Sequence, residues 1–88
     1  MKAPIIDEAD ARRSIREKVI DLARRRGIDA AYLTDSDVIP QTVGLDSAAI
    51  LELIMWYETT FEVEIAQDDL TLENFGTVDG MASYLRRR

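Results

Sequence analysis

The sequence predicts an all-α fold, a small four-helix bundle with a long first loop and a short third helix. Three observations lead there. Two long segments repeat apolar side chains at helical spacing behind N-cap residues, and a third such pattern closes the chain. The alternating run at residues 61–65 is too short and solitary to build a sheet. A chain of 88 residues has room for one modest core, so residues 1–88 are expected to form one domain.

In the first helix Ile15, Val19 and Leu22 line one face, with Ile20 and Ala23 alongside, while Arg12, Arg13, Arg16 and Lys18 take the other. Asp7 or Asp10 can cap its start, and Gly27 is placed to end it in a left-handed turn. Arg24, Arg25 and Arg26 then sit in the last turn, where cations offset the helix dipole; nucleic-acid contact is the alternative use of them. Residues 28–45 show no clean period. Pro40, Gly44 and the Thr34-Asp35-Ser36-Asp37 cluster predict a long connection, with Leu33, Val38, Ile39, Val43 and Leu45 as its anchors. A calcium loop starting at Asp35 fails, because Pro40 stands where glycine is needed and Asp46 where glutamate is needed.

The second helix is the strongest element, with Asp46 and Ser47 as its N-cap pair. Ile50, Leu53, Ile54, Tyr57 and Phe61 share a face and are expected in the core. Ala48, Glu52, Met55 and Thr59 fall opposite, with Trp56 on the flank. Residues 61–65 are expected to be an extended connector with Val63 and Ile65 tucked inward. A short helix near residues 68–74 follows. The last helix starts at Thr77 as N-cap and runs through Val78, Met81, Tyr84 and Leu85.

Composition restricts the chemistry. There is no cysteine and no histidine, which excludes zinc-finger sites, disulfides and imidazole-assisted nucleophiles. The apolar start, residues 1–6, is too short for a signal peptide, and no uncharged apolar run could span a bilayer, so a cytoplasmic protein without a membrane role is expected. Seventeen acids against 11 bases give a net charge of −6, unevenly spread. Through Gly27 there are eight bases and five acids, whereas residues 28–85 hold twelve acids and no Lys or Arg. Such a stretch is expected to repel nucleic acid and to attract a basic patch on another protein.

Two features along the second helix invite a functional reading. Met55 beside Ala48, fringed by Glu52 and Glu58, makes a small outward apolar spot with an acidic rim, although single exposed apolar residues are ordinary. Ser47 at a helix N-terminus is most simply a cap. With no imidazole or thiolate in the chain, and no lysine in its own acidic segment, Ser47 cannot activate itself. Covalent chemistry there would require a catalyst from another protein, and a phosphodiester would suit the helix N-terminus. A carboxylate enzyme built on Asp46 and Glu52 lacks orienting bases and pocket-forming loops.

Gly44-Leu45-Asp46-Ser47, then Leu51-Glu52-Leu53, then Glu58-x-x-Phe61-x-Val63-x-Ile65, resembles the core signature of acyl carrier proteins. The tail, Phe75-x-Thr77-Val78-x-x-Met81-x-x-Tyr84-Leu85, resembles that family's last helix. The resemblance runs over residues 43–85, about half the chain. It implies a bundle of acyl-carrier type and a non-catalytic role. Ser47 would receive a covalent 4'-phosphopantetheine arm from a phosphopantetheinyl transferase, which uses coenzyme A and magnesium. The arm would carry acyl or aminoacyl groups as thioesters between a loading ligase and downstream transferases. The resemblance further implies that Asp46, Ala48, Glu52 and Met55 meet basic docking patches on those enzymes, with the carrier acting as a monomer that binds no metal. Ala48 departs from the larger apolar residue usual after the serine, and Thr59 and Thr60 stand where acids are common. The Gly-Leu-Asp-Ser-Ala run looks closer to aminoacyl or D-alanyl carriers, which points to a specialised discrete carrier with dedicated partners. The competing expectation is a non-covalent acidic interaction module in which Ser47 is only an N-cap.

Overall fold

The computed structural model describes residues 7–87; the apolar start at residues 1–6 and the final Arg88 lie outside the described residues. Helix α1 spans Glu8–Arg24, with Asp7 as its cap: the Asp7 carboxylate accepts from the Asp10 amide at 2.9 Å. It ends as its sequence requires. Gly27 takes a positive φ of 77°, and the Ile28 amide returns to the Ala23 carbonyl at 2.9 Å. Ala11, Ile15, Val19, Leu22 and Ala23 are buried, and Ile20 packs at their edge.

The long connection contains a helix that the sequence does not announce. Helix α2 spans Ile39–Val43, with Pro40 in its first turn and Gly44 closing it at φ 78°. Proline breaks a helix interior but fits the first turn, where an amide has no partner to lose. The rest of the connection is anchored as expected by buried Leu33, Ile39, Val43 and Leu45, with Val38 half-buried. Asp35 and Asp37 have structural roles. Asp37 accepts from the Thr34 amide at 2.8 Å, and Asp35 receives Arg12 at 3.1 Å and Arg16 at 3.8 Å. Arg12 also bonds Glu8 and Asp79, so one half-buried guanidinium ties α1 to the connection and to the last helix.

Helix α3 spans Ser47–Phe61. Leu53, Tyr57 and Phe61 are buried as expected, together with Ala49, whereas Ile50 and Ile54 are only half-buried. The face expected to be all core therefore splits, one edge going to the interior and the other to a cleft described below. Glu62 ends α3 in the left-handed region, and the connector beyond it is extended, with Ile65 buried and Val63 half-buried. Glu58 is not a rim acid beside Met55. Its carboxylate turns back to accept from the Ile65 amide at 3.0 Å.

The predicted third helix is broken in two, a 3-10 turn at Gln67–Asp69 and helix α4 at Leu72–Phe75. Thr71 makes the break by capping α4, its hydroxyl accepting from the Asn74 amide at 3.2 Å. Helix α5 spans Val78–Arg87, and Thr77 caps it through the Gly80 amide at 2.9 Å. Val78, Met81 and Tyr84 are buried and Leu85 half-buried, matching the sequence pattern. Helix α5 packs along α1 and against α4, and α1 also meets α3. Four rings run through the core in edge-on or tilted contact, from Phe61 through Tyr57 and Phe75 to Tyr84, with centroids 4.9–5.3 Å apart. The buried Tyr57 hydroxyl donates to the Met81 carbonyl at 2.7 Å. Among the described residues no helix is long and apolar enough to cross a membrane.

Candidate functional site

The approach to Ser47 is set by three residues in succession. Gly44 turns the chain at a positive φ that a side chain would strain. Leu45 is buried and fixes the turn to the core. Asp46 is the N-cap of α3, its Oδ1 accepting from the Ala49 amide at 2.9 Å while its carbonyl receives the Ile50 amide at 3.0 Å. The capping role that could have explained Ser47 therefore belongs to Asp46. Ser47 is the first helical residue, exposed, and its hydroxyl makes no hydrogen bond among the described residues. The amides of Ser47 and Ala48, which no intrahelical carbonyl can serve, remain for an outside acceptor.

Beside Ser47 opens a cleft of about 530 Å³ between α3 and the α4 segment. Ile50, Ile54, Leu45 and Phe75 form its walls, and Leu51, Leu70 and Leu72 stand at its mouth with 48–62% of their surface exposed. This explains why Ile50 and Ile54 stop short of full burial. The outward side of α3 carries Ala48, Leu51 and Met55 as an exposed apolar stripe, with Met55 at 59% exposure.

The electrostatics differ from the sequence expectation. Glu52 is held by Arg25 at 2.9 Å, and the Lys18 ammonium lies 3.7 Å from the same carboxylate oxygen. Arg25 also pairs with Asp21 at 3.0 Å, and its proton is held more tightly than usual, chiefly by the hydrogen bond to Glu52. Arg26 approaches the Asp46 carboxylate at 3.7 Å and bonds the Leu22 carbonyl near the end of α1. The base-free stretch is thus not an uncompensated negative surface: the cations of α1 fold onto its acids next to Ser47. Of the four predicted docking residues, Asp46 and Ala48 are exposed, Met55 is exposed, and Glu52 is half-buried in its ion pairs. Sequence reasoning missed Leu70 and Leu72, whose signal was two leucines in an otherwise polar, acidic segment. It also missed Lys18, Arg25 and Arg26 as neighbours of the site, since Arg25 lies 27 positions from Glu52.

Comparison with known proteins bears on this site. The family described as "Phosphopantetheine attachment site" matches residues 14–85. An acyl carrier protein of Aster yellows witches'-broom phytoplasma is 38% identical over 72 residues, covering 81% of this chain and 92% of the relative. One from Desulforapulum autotrophicum is 34% identical over 86 residues, covering 92% of this chain and 95% of the relative. One from Thermotoga maritima is 29% identical over 67 residues, covering 76% and 80%. No solved structure matches the chain significantly. The arrangement around α3 fits the group that the family bears. An unengaged serine hydroxyl sits at a helix start, two free amides suit a phosphodiester, and an apolar cleft lies alongside. By its matched length, its relatives and this geometry, the chain belongs to the acyl carrier protein family, whose members are non-catalytic carriers bearing a covalent 4'-phosphopantetheine arm and served by phosphopantetheinyl transferases and acyl-handling enzymes.

Proposed function

We propose that Ser47 is the attachment point of the arm, and that residues 1–88 are one cytoplasmic carrier domain passing acyl groups between a loading ligase and downstream transferases. One observation carries this reading: Ser47 is exposed at the start of α3, relieved of capping by Asp46, at the rim of an apolar cleft. When attached, the arm supplies the thiol that the chain itself lacks. The chain's own residues do the rest. The α3 N-terminus favours the phosphodiester's negative charge, and Gly44 and Leu45 hold the serine outward. The cleft lining, mostly Ile, Leu and Phe with only Ser47 and Thr71 polar, suits an alkyl chain better than a charged aminoacyl group. That lining favours acyl over aminoacyl cargo.

Docking uses the outward face of α3, with Ala48 and Met55 as apolar contacts and Asp46 open to a basic side chain on the enzyme, its side chain 67% exposed. The competing non-covalent module, in which the acidic face binds a basic protein, gives Ser47 only a cap role, and Asp46 fills that role here. Intact mass after co-expression with a broad-specificity phosphopantetheinyl transferase tests the proposal. Wild type is expected to gain the mass of one phosphopantetheine and Ser47→Ala none. An unmodified wild type, or a gain that survives in Ser47→Ala, refutes it.

A further inference from the structure

We infer that Asp69 and Tyr84 are positioning residues for the cargo: their hydrogen bond latches one wall of the cleft, residues 66–74, to α5 and so keeps the cleft narrow enough to retain an alkyl chain. The inference rests on the carrier reading above, in which the cleft takes the apolar part of the cargo. Leu70, Thr71 and Leu72 line the cleft on this side, and Ile50 and Ile54 line it from α3. Apolar burial does not hold the wall in place. Between buried Ile65 and buried Phe75 every residue is exposed except Asp69 and Asn74, which are half-buried. Leu70 and Leu72 leave 48% and 62% of their surface in solvent. The amides of Asp69 and Leu70 return to the carbonyls of Ala66 and Gln67, which shapes the turn without fastening it to another element.

The fastening is polar and reaches α5. The Tyr84 hydroxyl donates to Asp69 Oδ2 at 2.8 Å. Asn74 Nδ2 donates to the Asp69 carbonyl at 2.9 Å, and Arg87 donates to Asn74 Oδ1 at 2.7 Å. The Arg87 guanidinium also lies 5.6 Å from the centre of the Tyr84 ring. The far end of the wall is held in another way. Phe75 is buried against Tyr84, with centroids 4.9 Å apart, and the Gly76 carbonyl accepts from the Ile39 amide at 2.7 Å. One end is therefore packed into the core, and the other hangs on a hydrogen bond to a carboxylate, a bond stronger than a neutral one. A segment with so little buried apolar surface opens more readily than the core does. Breaking the Asp69–Tyr84 bond frees Leu70 and Leu72 to swing about Phe75. An alkyl chain in the cleft then loses its contacts on one side.

Two measurements test this on wild type, Tyr84→Phe, Asp69→Ala and the combined variant. Tyr84→Phe keeps the buried ring and removes only the hydroxyl. The first measurement is amide hydrogen exchange on the unmodified protein. Exchange at Leu70 and Thr71 is expected to rise about tenfold in each single variant, with no further rise in the combined one, because both remove the same bond. The second uses the carrier loaded from octanoyl- or acetyl-coenzyme A by a broad-specificity phosphopantetheinyl transferase, and reads thioester cleavage by hydroxylamine. Acetyl has no chain to bury, so its rate is expected to be the same in all four proteins. Octanoyl is expected to cleave more slowly than acetyl in wild type, and about two- to fivefold faster in the variants than in wild type, since the rate follows the fraction of cargo outside the cleft. The inference is overturned if exchange at Leu70 and Thr71 stays at the wild-type rate. It is equally overturned if the octanoyl-to-acetyl ratio is unchanged in the variants or the two single effects add. Ser47→Ala and the intact mass read the carrier assignment separately, so a loaded wild type with an unchanged ratio sinks only the latch.

Discussion

Gly80 sits in the first turn of α5, where sequence logic counts it as a defect, since alanine in a helix is worth about 1 kcal/mol more than glycine. The structure reverses the sign. A Cβ on residue 80 would stand 2.4 Å from the Glu73 carbonyl oxygen and 2.9 Å from that of Asn74, where ordinary contact begins at 3.4 Å. Both obstacles are backbone atoms of α4, so no side-chain rotation relieves them, and α4 and α5 must separate by roughly 1 Å at that point. Overpacking of this kind costs about 1–3 kcal/mol, and two fixed carbonyls put it at the upper end. Net of the helix gain, Gly80→Ala should destabilise the protein by about 2 kcal/mol. For a domain of this size that lowers Tm by roughly 10 °C or somewhat more. Thermal unfolding followed by far-UV circular dichroism and by Trp56, which packs edge-on against Phe61, measures it. Because α4 carries Leu72 and Phe75 at the cleft, the displacement should also loosen that wall. An unchanged or raised Tm in Gly80→Ala would show that α4 yields freely, and the close-approach argument would be wrong.

Two further outcomes follow from the caps and charges. Asp46→Ala removes the acceptor of the Ala49 amide and should cost about 1 kcal/mol, lowering Tm by roughly 4–8 °C, whereas Asp46→Asn keeps the cap and should stay near wild type. If Asp46→Ala melts like wild type, Asp46 is not what holds the start of α3. The Glu8 carboxyl is depressed below its ordinary 4.5, first by its hydrogen bond to Arg12 and then by the nearby charge of Arg86. The unfolded chain therefore binds that proton more readily than the folded one. The stabilisation is present above about pH 4.5 and is lost as pH falls through the lower folded value. Tm should decline across that acidic window, and Glu8→Gln should flatten the decline; an identical slope in both proteins would remove Glu8 from the account.

Much of the architecture could be read along the chain because it depends on local rules. The caps Asp7, Asp46, Thr77 and the left-handed Gly27 act within a few residues, and periodicity alone identified Ile15, Val19, Leu53, Tyr57 and Met81 as core. Local rules also have competing outcomes. Pro40 serves equally as a breaker and as a first-turn residue, and the choice of helix α2 is accompanied by a tertiary contact, the Ile39 amide donating to the Gly76 carbonyl at 2.7 Å. Thr71 could continue a helix or restart one, and it restarts α4.

The helical fold, a serine that cannot act alone and the motif by which the family is recognised can all be read along the chain. Short-range geometry and the residue inventory suffice for all three. What surrounds that serine follows from how the helices pack. That packing turned Ile50 and Ile54 from core into cleft, and drew Glu58 back to hold Ile65. It also set Lys18 and Arg25 against Glu52, so that a stretch without bases acquires them from α1. The physical reason is the same in each case: electrostatics and packing depend on distance in space, and folding brings together residues that counting along the chain keeps apart.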